Sequence, residues 1–161
     1  MHPIYISNPI KKIQPAIILT FLCLFFSVVI FNSCSKSASA GGSSQVPYKT
    51  VNVSININTT GYTALATVGG VVDLANVGYR GIMCYRLNST TIMAYDRTCT
   101  YNLSDNNGII YAQNNGTAIC LECNSTYLLS NGSVSAGPTT IALKSYKVAF
   151  DQTTGDVTVT N

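Results

Sequence analysis

The sequence contains very few of the residues on which enzymes usually build active sites. Its only histidine is His2, and its only glutamate is Glu122. His2 lies before a long apolar run, in a part of the chain that we expect to be removed. Without a histidine, the ordinary serine–histidine–aspartate and cysteine–histidine arrangements are excluded, and the scattered aspartates show no paired-carboxylate spacing. We therefore expect that the protein is not an enzyme.

Charge is also scarce, since charged residues make up 9% of the chain. Two of the nine basic residues lie within the first 33 positions. The remaining seven basic and six acidic residues are spread along the chain without a basic stripe or an acidic tail. A nucleic-acid partner is therefore not expected.

Residues 1–33 have the pattern of an export signal. Two lysines precede an apolar run over Ile13–Phe31, and a step of small residues, Asn32-Ser-Cys34, follows at once. A cysteine in this place resembles the signal of bacterial lipoproteins. In that family the signal is cut before the cysteine, which then carries acyl chains.

The resemblance implies that Cys34 is lipidated and anchors the protein to a membrane of the cell envelope, outside the cytoplasm. Residues 34–45, which are rich in serine, alanine and glycine, then form a flexible tether. The alternative is an uncleaved membrane anchor, because the apolar run is close to the ~18–20 residues of a spanning helix. Both interpretations leave the rest of the chain outside the cytoplasm.

From residue 46 onward the pattern is that of an all-β domain. Alternation of apolar and polar residues over Val51–Asn58 is typical of a half-buried strand. Short apolar segments follow, separated by turn signals such as Asn114-Asn-Gly116 and Asn131-Gly132. These segments are Ala64–Val68, Val71–Leu74, Ile82–Leu87, Thr91–Tyr95, Thr117–Leu121, Ile141–Phe150 and Val157–Thr160. Together they predict one antiparallel β-sandwich or barrel over residues 46–161.

Four cysteines lie in this predicted domain. Cys84 is inside a predicted strand, where the expected role is that of a small buried hydrophobe. Cys99, Cys120 and Cys123 begin loops that follow predicted strands. Outside the cytoplasm such cysteines form disulfides or bind metal. A third interpretation, a redox-active Cys-x-x-Cys at Cys120 and Cys123, lacks the helix N-terminus that usually stabilises the thiolate.

Three segments together resemble a Rieske domain: Ala94–Tyr101, Cys120–Tyr127 and Ser135-Ala-Gly-Pro138. The resemblance extends over roughly residues 46–161. A Rieske domain holds a [2Fe–2S] cluster with Cys-x-His in one loop and Cys-x-x-His in another. The resemblance implies an antiparallel β fold with two cysteine-bearing loops.

The histidine positions of this pattern are occupied by other residues. Cys99 and Cys120 match the two cysteine ligands, whereas Tyr101 and Cys123 stand where the histidines should be. The resemblance therefore implies Cys99, Cys120 and Cys123 as metal ligands. The cofactor would be [2Fe–2S] or another soft metal such as zinc, and the site without any cofactor is the remaining alternative.

Other positions match the family pattern in part. Ser125 and Tyr127 match hydroxyl groups that, in some members, donate hydrogen bonds to the cluster and a cysteine sulfur. Gly137-Pro138 matches the third loop, which covers the cluster. Ser104 and Glu122 occupy the positions of a disulfide that joins the two loops in some members, so this disulfide is absent here.

Two functions follow from these patterns. With a cluster or metal bound, the resemblance implies one-electron transfer to a partner protein in the envelope. Without one, the domain would be a cluster-free fold with a structural disulfide, and it would serve in binding or in cell-surface structure.

Overall fold

The computed structural model describes residues 46–101, 103 and 108–161. Over these ranges the chain forms ten β-strands and one turn of 3-10 helix, so the predicted all-β class is confirmed. The strands are β1 Asn52–Asn56, β2 Val71–Leu74, β3 Ile82–Arg86, β4 Ile92–Asp96, β5 Ile110–Ala112, β6 Thr117–Cys120, β7 Thr126–Leu128, β8 Val134–Ala136, β9 Ser145–Phe150 and β10 Asp156–Thr160. All of their pairings are antiparallel, as predicted.

Six strands form the larger sheet, in the order β1-β10-β9-β4-β3-β2. The alternating segment of the sequence becomes β1 at its edge, where Val53 pairs with Val159 and Ile55 with Val157. These side chains pack into the first of two hydrophobic cores because alternate residues of a strand share one face. Cys84 of β3 is fully buried in the same core, which confirms its expected burial.

The other four strands form a smaller sheet in the order β5-β6-β7-β8. Its hairpins use two of the predicted glycine turns, since Gly116 and Gly132 have φ values of 75° and 74°. A Cβ on Gly132 would lie 2.7 Å from a ring carbon of Tyr95. The second core lies against this sheet and includes Met83, Tyr95, Cys99, Ile110, Ala118, Cys120, Tyr127, Leu129 and Leu143. Two of the three loop cysteines are therefore core residues.

The structure differs from the prediction in five segments. Two predicted strands are altered, and three strands were not predicted. Ala64–Val68 is not a strand: Thr63–Ala66 forms the 3-10 turn, which buries Leu65 completely. Strand β9 covers only the second half of Ile141–Phe150, because the first half crosses between the sheets and buries Leu143 in the second core. Strands β5, β7 and β8 have three residues each, too few to produce a period of two.

No helix in the described ranges is long and apolar enough to cross a membrane. The predicted signal at residues 1–33, the lipidated Cys34 and the tether at 34–45 lie outside the described residues. They remain predictions.

Candidate metal centre

The first cysteine loop begins where β4 ends, at the fully buried Asp96. Its carboxylate accepts hydrogen bonds from the backbone N–H groups of Tyr79 (2.7 Å) and Thr98 (3.1 Å). It also accepts them from the hydroxyl groups of Thr98 and Tyr146, the latter at 2.8 Å. A buried carboxylate requires such partners. They fix the path of the chain that leads to Cys99, three residues further on.

The second loop begins at Cys120, the last residue of β6, and turns tightly into β7. The backbone N–H of Cys120 donates to the carbonyl oxygen of Ser125 (2.9 Å), and that of Asn124 donates to the carbonyl of Cys120 (2.8 Å). Asn124 has a φ of 58°, a left-handed conformation that asparagine adopts more readily than most residues. This turn brings Cys123 back towards the end of β6.

Three sulfur atoms meet between these two loops. The Sγ atoms of Cys99, Cys120 and Cys123 all lie within 4.8 Å of one another, and those of Cys99 and Cys123 are 3.4 Å apart. None of the three cysteines forms a disulfide. Cys99 and Cys120 are fully buried, whereas Cys123 is partly exposed. The structure therefore brings the three predicted ligands, the sulfur trio, to one point.

The predicted third loop packs directly on the second one. Gly137 has a φ of 103°, and a Cβ there would lie 2.4 Å from the Cα of Ser125. Only glycine avoids this overlap in that conformation. The backbone N–H of Thr139 then donates to Oγ of Ser125 (3.4 Å). The third loop thus holds Ser125 in place.

The two predicted hydroxyl groups both lie beside the sulfur trio. Oγ of Ser125 is 3.1 Å from Sγ of Cys123. The hydroxyl oxygen of the fully buried Tyr127 is 3.7 Å from Sγ of Cys99. Each hydroxyl group is therefore within hydrogen-bond distance of a different sulfur atom.

Thr100 and Thr139 belong to the site but were not predicted. Oγ1 of Thr100 donates to the carbonyl oxygen of Ile141 (2.6 Å) and lies 3.1 Å from both the hydroxyl oxygen of Tyr127 and Oγ1 of Thr139. This buried cluster of hydroxyl groups joins the first loop to β7 and to the third loop. Nothing in the sequence distinguishes these two residues from the many other threonines.

The environments of the thiols shift their pKa values in opposite directions. Burial raises the pKa of Cys99 to about 12, although hydrogen bonds with the Tyr101 backbone and the Tyr127 hydroxyl oppose the shift. Partial burial also acts to raise the pKa of Cys123, but hydrogen bonds with the side chain and backbone of Ser125 outweigh it, and the pKa is lowered. A cation beside the trio would favour the thiolate form of both residues.

The distance between two of the three sulfur atoms is close to that expected around a single soft metal ion. Zinc–sulfur bonds of about 2.3 Å at tetrahedral angles place sulfur ligands about 3.8 Å apart. The distance of 3.4 Å between the sulfur atoms of Cys99 and Cys123 is close to this value. Thiolates also suit Cu(I) and iron. One ion bound here would have three protein ligands and an open fourth position.

A Rieske cluster fits the residues less well. Such a cluster needs two cysteine and two histidine ligands on its two irons. Tyr101, at one of the histidine positions, is 41% exposed and offers a phenol oxygen rather than a soft nitrogen or sulfur ligand. The described residues therefore offer three soft ligands rather than four.

Of the remaining candidates, Cys84 lies apart from the trio. Cys84 is in the first core, where burial raises its pKa to about 12. Glu122 is exposed on the second loop, and Ser104 lies outside the described residues.

Comparisons with known proteins do not assign a family. No protein-family model and no curated protein matches the chain. The ferredoxin of carbazole 1,9a-dioxygenase from Nocardioides aromaticivorans IC177 is 14% identical, with a TM-score of 0.47, over 70% of this chain and 98% of that one. A proposed NADH-dependent nitrite reductase small subunit from Mycobacterium tuberculosis is 17% identical, with a TM-score of 0.42, over 71% and 97%. Similarity at this level establishes neither family nor function.

Proposed function

We propose that this protein is a non-enzymatic envelope lipoprotein that binds a soft metal centre through Cys99, Cys120 and Cys123 and uses it to transfer single electrons to a partner protein. The observation that carries the proposal is the convergence of three cysteine sulfur atoms from two loops within 4.8 Å. The three cysteines are separated by up to 24 residues along the chain, and their meeting at one point is the arrangement expected of cysteines that pair or bind a common metal.

Iron or copper would supply one-electron chemistry in this site, whereas zinc has no redox chemistry. The protein's own residues would hold the metal and limit access to it, because Cys99 and Cys120 are fully buried and only Cys123 is partly exposed. Ser125 and Tyr127 would stabilise the thiolates by donating hydrogen bonds, and such bonds to sulfur raise the reduction potential of a thiolate-bound iron. A [2Fe–2S] cluster remains a second form of the centre and would require a further ligand.

The envelope location of the proposal rests on residues 1–45. An export signal followed by a lipidated Cys34 would place the domain at a membrane surface, on a tether rich in serine, alanine and glycine. Metabolic labelling with a fatty acid tests this part. The wild-type protein should become labelled and the Cys34→Ala variant should not; label in both proteins would exclude Cys34 as the lipidation site.

The metal centre is tested by the native mass of the full-length protein, purified in a non-ionic detergent without reductant or chelator. The native wild type should be heavier, by one metal ion or one cluster, than the same sample after denaturation with a chelator, a comparison that signal cleavage and lipidation do not affect. Cys120→Ser should lose this added mass, whereas Cys84→Ser, a matched change at a buried cysteine of the other core, should retain it. A wild type without added mass would contradict the proposal.

The resemblance of the two loops to the Rieske ligand pattern has a separate test. The double variant Tyr101→His with Cys123→His restores both histidine positions of the family pattern. After iron–sulfur reconstitution it should gain the visible absorption of a [2Fe–2S] cluster. A colourless product would count against the match of the two loops to the Rieske ligand pattern.

A second candidate function is a cluster-free binding or surface-structural domain. It is favoured by the distance of 3.4 Å between the sulfur atoms of Cys99 and Cys123, because an oxidising envelope would readily join sulfur atoms that are so close. This candidate predicts a native mass two hydrogens below that of the reduced chain, with no metal.

A further inference from the structure

A second candidate site lies beside the turn between β2 and β3. A cavity of about 390 Å³ opens there, and its lining includes Lys49, Arg80 and Arg97 together with Tyr79 and Ile109. The described residues contain six basic side chains, so half of them meet at this one cavity. None of the described residues that line it is acidic.

The two guanidinium groups are held in position by other parts of the fold. Arg97 donates from Nε to the carbonyl oxygen of Ile110 (3.3 Å), and its Nη1 lies 3.2 Å from a carboxylate oxygen of Asp73. Arg80 donates from Nη1 to the carbonyl oxygen of Gly108 (3.3 Å). Asp73 offsets part of the charge of Arg97, but the fixed positions reduce the entropy that binding a ligand would cost.

The walls of the cavity are also set by the backbone. Gly81 has a φ of 96°, and a Cβ there would lie 3.4 Å from Cδ of Arg97 and 3.2 Å from the carbonyl oxygen of Leu74. The left-handed Gly81 therefore lets the turn approach the Arg97 side chain closely. The backbone N–H of Tyr79 donates to Asp96 (2.7 Å), which anchors the same turn from the other side.

We propose that this cavity binds the phosphate group of an organic phosphate. Arginine side chains present a planar fork of donors that matches phosphate oxygens, and lysine adds a mobile positive charge. The volume lies in the range of small-molecule sites, about 300–1,000 Å³, and leaves room for an organic part beside the phosphate. Tyr79, which is 43% exposed, and Ile109 supply apolar surface for that part.

Such a phosphate has two sources, a soluble phosphate ester or a phospholipid headgroup. Lys49 follows the predicted tether by four residues. The proposed lipid anchor would therefore keep phospholipid headgroups available to the domain, in addition to soluble esters. The probes are glycerol 3-phosphate and short-chain phosphatidylglycerol, each added to the full-length protein in maltoside micelles at constant ionic strength. The readout is the set of backbone amide NMR signals of Tyr79, Arg80 and Gly81.

Saturable shifts of these signals with glycerol 3-phosphate identify a soluble ester, and shifts with phosphatidylglycerol alone identify a headgroup; either result supports the proposal. Lys49→Gln should weaken binding about ten-fold, the effect of one lost charge-assisted hydrogen bond. Lys147→Gln removes the same charge from another exposed lysine, outside the cavity, and should leave binding unchanged. Absence of shifts with both probes, or equal weakening of binding by the two variants, would overturn the proposal.

Discussion

Replacement of Tyr127 by phenylalanine tests whether the buried hydroxyl cluster holds the cysteine loops together. The substitution keeps the ring in the second core and removes one oxygen atom. That oxygen accepts a hydrogen bond from the backbone N–H of Thr100 (3.3 Å) and lies 3.1 Å from Oγ1 of Thr100 and 3.7 Å from Sγ of Cys99. Tyr127 is fully buried and Thr100 is 1% exposed, so water cannot replace the lost partner without opening the core.

The expected loss of stability follows from these contacts. A typical intramolecular hydrogen bond contributes about 1 kcal/mol, and leaving a buried N–H unpaired costs about 1–3 kcal/mol. Oγ1 of Thr100 keeps its bond to the carbonyl oxygen of Ile141 (2.6 Å), and the sulfur of Cys99 keeps its contact with that of Cys123 (3.4 Å), so the N–H of Thr100 is the group left without a partner. We expect Tyr127→Phe to lower the free energy of unfolding by about 2 kcal/mol, which for a domain of this size lowers Tm by roughly 8 °C.

Urea unfolding of the metal-free, reduced protein measures this loss without a contribution from bound metal. Tyr111→Phe is the matched control, because it removes the same atom from a ring that is 45% exposed. The control should change stability by less than about 0.5 kcal/mol. If the two variants lost the same stability, the hydroxyl cluster would not be what joins the loops.

Three other predictions concern the same loops. Cys120→Ser should weaken metal binding at least ~100-fold, because it removes one of three thiolates from a site whose binding free energy is ~10 kcal/mol or more. Cys84→Ser should leave metal binding unchanged. Competition with a chelator measures both affinities, and equal losses would contradict the ligand assignment. Gly137→Ala should cost at least about 2 kcal/mol because its φ of 103° strains alanine and the new Cβ would lie 2.4 Å from Cα of Ser125; an unchanged urea midpoint would refute this. In the reduced, metal-free protein at about pH 8, iodoacetamide should modify Cys123 well before Cys84, because the thiolate is the reactive form. The pKa of Cys123 is lowered, whereas burial raises that of Cys84 to about 12. Mass spectrometry of peptides measures the order of modification, and the reverse order would contradict this prediction.

Local pattern predicted the larger sheet well. The alternation over Val51–Asn58 became β1, and the apolar segment Val71–Leu74 became β2 without a change in its bounds. Each of these strands has one buried face, and that burial imposes a period of two on the sequence. Ala64–Val68 carries an apolar run without that requirement, since a single turn suffices to bury Leu65.

The candidate site could be predicted only in part. The family resemblance directed attention to Cys99, Cys120 and Cys123, and the structure brings their sulfur atoms together. The contact between Thr100 and Thr139 depends on how three loops pack, and no local pattern encodes it. The basic cavity is similar in this respect, because its cations come from distant positions that only the fold assembles.

X-ray absorption at the metal edge tests the central claim most directly, because it counts and measures the atoms bound to the metal. For the wild-type protein purified with its native metal, we predict a redox-active metal with three sulfur ligands, and fewer sulfur ligands in Cys120→Ser. Zinc at the site would contradict the proposed electron transfer, because zinc has no redox chemistry. A first shell of oxygen and nitrogen alone, or a spectrum that Cys120→Ser leaves unchanged, would contradict the proposed metal centre.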